Sequence, residues 1–289
     1  MTPELKAVLG TALGAEVRSS RTVAGGDIND AYRAGLADGR EVFVKTNHGT
    51  DRRMFPCEAK GLAVLAEAGA LRVPEVLAVS DETGDGPQFL VLELLEAKGR
   101  VSDYDERLGR GLAELHRFGA AEFGLDHDNF IAHLPQDNTP ADSWPAFYAM
   151  RRLEPLVRLA VDARRAETGW GRRFERLFGR LDELAGPPEP PARLHGDLWS
   201  GNLHIDERGA PALIDPAVYG GHREIDLAML ELFGNPGPRF WAAYDDAYPL
   251  GAERRDRVPL YQLYPLLVHV NLFGGGYVRS VEAALSRYV

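Results

Sequence analysis

The chain has 289 residues, 45% hydrophobic and 26% charged, which allows one large domain or two lobes with a sizeable core. Its formal net charge of −10 argues against broad nucleic-acid binding, because phosphate backbones require a basic surface. Cys57 is the single cysteine, so an intramolecular disulfide is excluded, and no apolar run approaches the 18 residues of a membrane span. The N-terminus lacks the pattern of a signal peptide, and we therefore expect a cytoplasmic protein without membrane partners.

The first 95 residues predict a small β-rich lobe. A helix over residues 2–13 opens it, with a proline in the first turn. Strand patterns follow, and "DGR" marks a hairpin turn before "EVFVKT", where alternation puts Val44 and Lys45 on opposite faces. A helix over "CEAKGLAVLAEAGA" and two further strands complete this lobe.

The chain after residue 95 is mainly helical in pattern. Helices are predicted over residues 102–119, 145–165 and 172–186 and again towards the C-terminus, with a polar loop at 128–144 and short strands at 192–220. The predicted fold class is α+β and bilobal, with an antiparallel β N-lobe containing one helix (1–95) and a larger helical C-lobe (96–289).

A dense polar motif, "LHGDLWSGNLHID", covers residues 194–206. The segments "NLHID" and "PALID" alternate around "ERGA" and predict a hairpin, which would fold Asp215 back beside Asn202. Carboxylate and amide oxygens suit Mg²⁺, and Asp197 on the "HGD" turn is suited to accept the proton of an attacking hydroxyl. This is the division of labour in a kinase catalytic loop.

The first lobe contains the other parts that such a reaction needs. Lys45 lies on a strand and could neutralise phosphates, and Glu58 begins a helix from which it could hold that lysine. The turn "GGDIND", with Gly25 and Gly26, could cover the phosphates. The apolar strand "LVLELLE" ends where the composition changes and could offer backbone groups to adenine.

With these elements in order, the sequence resembles the eukaryotic-like small-molecule kinases, which include aminoglycoside and choline kinases. More closely it resembles the fructosamine kinase (ketosamine 3-kinase) family. Matching segments cover nearly the whole chain, and "HGDLWSGN" and "DPAVYGGHREIDLA" are specific to this family. The resemblance implies a bilobal protein-kinase-like fold that uses ATP and Mg²⁺.

The resemblance also implies roles for individual residues. Those roles are nucleotide-phosphate binding for Lys45 with its partner Glu58, catalysis for Asp197, magnesium binding for Asn202 and Asp215, and adenine contact for the backbone at Glu93 and Leu95. Two departures are present. Asp27 places an acid in the glycine turn, and "IDP" replaces the DFG of protein kinases, so control by a flipping phenylalanine is not implied.

Other residues have a functional and a structural interpretation. We favour substrate contact for Trp199, whose ring could face a sugar, and we also assign it to His269, while Asn271, Asn129 and Gln136 stay open. We favour structural support for His195 and for Asp226, which would brace the backbone of the catalytic loop. Cys57 is interpreted as a buried small residue rather than a redox thiol, and His204 and Asp206 as hairpin residues.

The predicted function is that of an ATP-dependent small-molecule kinase. The resemblance implies that it phosphorylates the 3-hydroxyl of a ketosamine on a small amine or a glycated lysine, which would serve deglycation. An aminoglycoside- or choline-type kinase and a non-catalytic nucleotide-binding protein remain alternatives. A metal-dependent hydrolase would need a larger histidine ligand set. The oligomeric state is not given by the sequence, and a monomer is favoured.

Overall fold

The structure is a computed structural model that describes residues 1–23, 29–167 and 169–289. The chain divides into two compact units. The first contains Met1–Tyr104 and Leu203–Pro216, and the second contains Asp105–Asn202 and Ala217–Val289. Within the described ranges, no helix is both long enough and apolar enough to cross a bilayer.

The first unit is built on a five-stranded antiparallel sheet with the order β1-β2-β3-β5-β4. Its elements are α1 (Pro3–Leu13), β1 (Val17–Thr22), β2 (Asp30–Leu36), β3 (Glu41–Asn47), α2 (Met54–Glu67), β4 (Val76–Val79) and β5 (Gln88–Glu93). The predicted sheet with one internal helix is confirmed, and α2 begins three residues before the predicted start.

Local sequence explains how this unit begins and packs. The Thr2 side chain accepts the backbone N–H of Leu5 (3.2 Å) and caps α1. Alternation along β3 buries Val44 in a core that α1 completes with Leu9. The opposite face of β3 carries Lys45, which is therefore directed away from that core.

A short hairpin, β9 (Leu203–Ile205) and β10 (Pro211–Leu213), also belongs to the first unit. Leu203 pairs with Leu213, so the predicted hairpin is confirmed. The Leu213 N–H donates to the carbonyl of Arg72 (2.8 Å), which attaches the hairpin to the connection before β4.

The second unit is mainly helical, as predicted. Its elements are α3 (Tyr104–Phe118), β6 (Asn129–Ile131), β7 (Leu134–Gln136), α4 (Trp144–Phe147), a π-helix (Tyr148–Leu153), α5 (Glu154–Asp162), α6 (Trp170–Phe178), α7 (Leu181–Leu184), β8 (Ala192–Leu194), β11 (Tyr219–Gly221), α8 (Glu224–Phe233), α9 (Pro238–Ala247), α10 (Arg254–Phe273) and α11 (Gly276–Leu285). β8 pairs with β11, and the core is centred on aromatic side chains of the π-helix and α10.

Two local predictions for this unit were wrong. Residues 128–144 are not simply a loop, because β6 and β7 form a hairpin within them. Its amide side chains are buried and form hydrogen bonds with one another. The helix predicted over 145–165 is interrupted by the π-helix, in which the Glu154 N–H donates to the Ala149 carbonyl. Pro155 follows directly and has no N–H for the next helical bond, which favours a change of register here.

Candidate active site

The backbone that precedes Asp197 is held from two sides within the second unit. The Asp226 carboxylate accepts the N–H groups of His195 (2.7 Å) and Gly196 (3.0 Å). The His195 carbonyl in turn accepts the N–H of Ala217 (2.9 Å). The His195 side chain is fully buried, and its Nδ1 accepts the N–H of Asp197 (3.3 Å). His195 and Asp226 therefore both act on the loop backbone.

Gly196 is required by this packing. Its φ is +83°, in the left-handed region. A Cβ at this position would lie 1.9 Å from the carbonyl oxygen of Ala217. Only glycine permits both the conformation and the close approach of the two chains.

Asp197 and Asn202 are brought together at the end of the loop. The Asn202 amide nitrogen donates to the Asp197 carbonyl (2.8 Å) and to its carboxylate Oδ2 (2.9 Å). A 3₁₀ turn over Ser200–Asn202 produces this approach. Because the nitrogen is directed at Asp197, the amide oxygen of Asn202 is the atom that this residue would offer to a cation.

In the first unit, Lys45 lies between two carboxylates. Its Nζ is 2.7 Å from Glu58 Oε1 and 2.6 Å from Asp215 Oδ1. Burial alone would lower the pKa of Lys45, but the charges of Glu58 and Asp215 outweigh it and raise that pKa above its usual value. The ammonium is therefore charged at neutral pH and could stabilise the phosphates of a nucleotide.

Asp215 has a strained backbone. Its φ is +54°, which is uncommon for a residue other than glycine. Such conformations cost on the order of 1–3 kcal/mol and cluster at functional sites. The Asp215 carboxylate is one of the oxygen donors proposed for the metal.

Comparison with known proteins identifies the family of the chain. A family model for fructosamine kinase matches residues 1–289. The chain belongs to the fructosamine kinase family. A probable ketoamine kinase from Synechocystis is 40% identical over 274 residues, which cover 94% of this chain and 90% of that protein. A chloroplastic protein-ribulosamine 3-kinase from Arabidopsis thaliana is 36% identical over 274 residues, which cover 93% of this chain and 82% of that protein.

Solved structures of related proteins have the same fold as this chain. The crystal structure of a candidate fructosamine-3-kinase from Thermobifida fusca is 39% identical, with a TM-score of 0.87 over 99% of this chain and 100% of that one. A choline kinase from Streptococcus pneumoniae has a TM-score of 0.66 at 16% identity, over 98% of each chain, and shares the fold alone. This fructosamine kinase family member therefore has a protein-kinase-like fold, and its family implies the use of ATP.

Trp199 presents an exposed aromatic face on the loop that carries Asp197 in this family member. The indole is 40% exposed, although large apolar side chains are usually buried. A Cβ on Gly201 would lie 2.3 Å from the ring, so the ring rests directly on the glycine. The Ser200 hydroxyl donates to the carbonyl of Phe233 (2.8 Å), which ties this turn to the end of α8.

His269 lies among aromatic side chains at the end of α10. Its ring stacks on that of Phe233, with centroids 4.5 Å apart. Its Nδ1 donates to the Pro265 carbonyl (2.8 Å), and burial lowers the pKa of the imidazole. His269 is therefore neutral at pH 7, with Nε2 as an acceptor. Asn271 is buried, and its amide nitrogen donates to backbone carbonyls of α5 and α10.

The sequence analysis did not identify His116 and Tyr244, a buried pair next to Asp226. The His116 ring lies 3.3 Å from the Asp226 carboxylate through Nε2 and 2.7 Å from the Tyr244 hydroxyl through Nδ1. With Nε2 protonated towards the carboxylate, Nδ1 accepts from the tyrosine. The available signal was a histidine on the apolar stripe of α3, next to Leu115.

The remaining candidates are distributed over the first unit. His204 lies with Nε2 3.2 Å from the Leu95 carbonyl, and Asp206 accepts two turn N–H groups. The Glu93 N–H donates to the Glu75 carbonyl (2.9 Å), and the Glu93 carboxylate pairs with Arg72. Cys57 is buried, and burial raises the pKa of its thiol. Gly25, Gly26 and Asp27 lie outside the described residues.

Proposed function

We propose that this protein is an ATP-dependent ketosamine kinase that phosphorylates the 3-hydroxyl of a fructosamine or ribulosamine on a small amine or a glycated lysine. The observation that carries the proposal is the match of the whole chain to the fructosamine kinase family. The name of the Arabidopsis relative, a protein-ribulosamine 3-kinase, supports the acceptor. Such a product would be unstable, and the reaction would therefore serve deglycation.

The proposed chemistry divides between the two units. Asp197 orients the sugar hydroxyl and accepts its proton, while Lys45, held by Glu58, stabilises the phosphates. Asn202 and Asp215 are the proposed magnesium ligands, and their oxygen donors fit that ion. Bound Mg²⁺ would neutralise charge on the transferred phosphoryl group. Gly25 and Gly26 would cover the phosphates.

Binding of the two substrates is assigned to backbone groups and to aromatic rings. The Glu93 N–H and the Leu95 carbonyl have partners within the first unit. We assign adenine contact to the backbone at Glu93 and Leu95. Trp199 would pack on the sugar, and the neutral His269 would accept a hydrogen bond from it. We expect a cytoplasmic monomer, which light scattering would test for the oligomeric state.

The test is ATP consumption with a panel of ribulosamines, fructosamines, aminoglycosides and choline, in wild-type protein and in Asp197→Asn. We expect turnover with ketosamines only and a loss of at least about a thousandfold in kcat in the variant, with ATP binding retained. Turnover restricted to aminoglycosides or choline would refute the ketosamine assignment. An Asp197→Asn variant with unchanged turnover would refute the role of Asp197.

A further inference from the structure

Arg152 is a buried cation whose hydrogen bonds, within the described ranges, all go to uncharged oxygens. The side chain is 1% exposed. Its guanidinium donates to the carbonyls of Asp137 (2.8 Å) and Arg151 (3.1 Å) and to the amide oxygen of Asn138 (2.6 Å). The Asp137 carboxylate pairs with the neighbouring Arg151 instead (2.8 Å). Burying a guanidinium whose hydrogen bonds go only to uncharged groups costs free energy, which indicates that the buried Arg152 has a specific role.

The backbone around Arg152 is specialised as well. Arg152 lies in the π-helix, and π-turns are rare and occur frequently at functional sites. In a continuous α-helix, the Arg151 carbonyl would accept the N–H of residue 155, but Pro155 has none. Arg152 donates to that carbonyl in its place. Pro155 leaves the Arg151 carbonyl without its α-helical donor and the buried Arg152 side chain supplies one, so the π-helix and the side chain stabilise each other.

The guanidinium also packs on aromatic faces. Its central carbon is 3.9 Å from the ring centroid of Tyr219 and 4.6 Å from that of Phe147. Both distances are within the range of a favourable cation–π interaction, which is strongest when it is desolvated. Tyr219 begins β11, so Arg152 acts directly on the segment that follows Asp215 in the sequence.

A second path leads to the same segment through buried amides. The Asn138 nitrogen donates to the Asn129 oxygen (3.0 Å), and the Gln136 nitrogen donates to the same oxygen (3.0 Å). The Asn129 nitrogen then donates to the carbonyl of Val218 (2.8 Å). Arg152 fixes this array because its Nη2 holds the Asn138 oxygen and thereby orients that amide. Two independent contacts thus converge on Val218 and Tyr219.

The segment 217–219 holds the catalytic loop. Ala217 donates to the His195 carbonyl and touches Gly196, the residue before Asp197. We propose that Arg152 is a positioning residue for phosphoryl transfer, which fixes segment 217–219 through Tyr219 and Asn129 and so keeps Asp197 in place. This inference rests on the proposed role of Asp197. A displacement of about 1 Å in a catalytic group can cost on the order of a hundredfold in rate.

The experiment compares Arg152→Gln and Arg152→Lys with Arg151→Gln, a matched control that removes the adjacent, partly exposed arginine charge. Urea unfolding at the assay temperature first verifies that every variant is folded under the conditions of the kinetic measurements. We then measure kcat, the KM values for ATP and ketosamine, and hydrogen exchange of peptides that cover 216–222 and α11. If Arg152→Gln does not fold, Asn129→Ser, which removes the bond to Val218, takes its place.

We expect Arg152→Gln to lower kcat by at least about tenfold with both KM values within about threefold, while exchange over 217–221 rises and that of α11 does not. Arg152→Lys keeps the charge but loses the planar fork, and so it should recover part of kcat. Arg151→Gln should match wild type.

An unchanged kcat at equal folded fraction, or a lower kcat with unchanged exchange over 217–221, would overturn the inference. If the wild-type chain itself turns over no ketosamine, the proposed function fails. The exchange comparison still decides whether Arg152 fixes segment 217–219.

Discussion

Replacing Gly196 with alanine tests whether the contact with Ala217 positions the loop that carries Asp197. The new methyl group would begin 1.9 Å from the Ala217 oxygen, whereas ordinary contact begins at 3.4 Å, so the chains must separate by about 1.5 Å. Strain at φ +83° adds about 1–2 kcal/mol. A shift of this size next to Asp197 should lower kcat by about a hundredfold or more.

Gly39→Ala is the matched control, because Gly39 has a similar φ of +91° but no atom within 4 Å of the added methyl group. Both variants should lose similar stability from backbone strain in urea unfolding, with a further loss in Gly196→Ala. Only Gly196→Ala should lose turnover in a coupled assay of ADP release. If the kcat values of the two variants agree within about threefold, the loop does not depend on this contact.

Three further predictions follow from the geometry. Lys45→Met leaves the partly buried Glu58 carboxylate without its cation, so kcat/KM for ATP should fall by about a hundredfold or more, and steady-state kinetics with unchanged values would contradict the assignment. Burial lowers the pKa of His222, so below pH 6.5 the unfolded chain binds a proton that the folded chain does not. The free energy of unfolding should therefore decrease as the pH is lowered, by up to about 1.4 kcal/mol per pH unit. In urea titrations, the free energy of unfolding of His222→Phe should depend less steeply on pH. Gly201→Ala would displace the Trp199 ring and should raise KM for the ketosamine by about tenfold with little change in stability, whereas an unchanged KM would exclude Trp199 from substrate binding.

Much of the fold could be predicted because its signals are local. The cap at Thr2, the alternation in β3 and the turn between β9 and β10 are each determined by residues within a few positions of one another. The pairing of Lys45 with Glu58 was also expected, because a lysine that binds nucleotide phosphates needs a carboxylate to hold it, and Glu58 lies on the next helix. The assignment of residues 203–216 to the first unit depends on long-range contacts such as that of Leu213 with Arg72.

The missed features are polar groups in buried positions. Asn129 and Gln136 appear hydrophilic in a sequence, and only their mutual hydrogen bonds, over seven positions, turn a polar loop into a buried hairpin. His116 pairs with Asp226 over 110 positions, which no local pattern reveals. Arg152 stands in a run rich in charged residues, and the sequence gives no local sign that its side chain is buried within a π-helix.

The path of the chain constrains how the protein can be divided. The backbone passes between the two units at residues 104–105, 202–203 and 216–217. A fragment that ends at Tyr104 would lack the strand pair after Asn202, and Lys45 would lose one of its two carboxylates. A single proteolytic cut between the units would therefore release no intact half. A split version that reassembles would need to keep residues 203–216 covalently attached to the first fragment, as in a circular permutant.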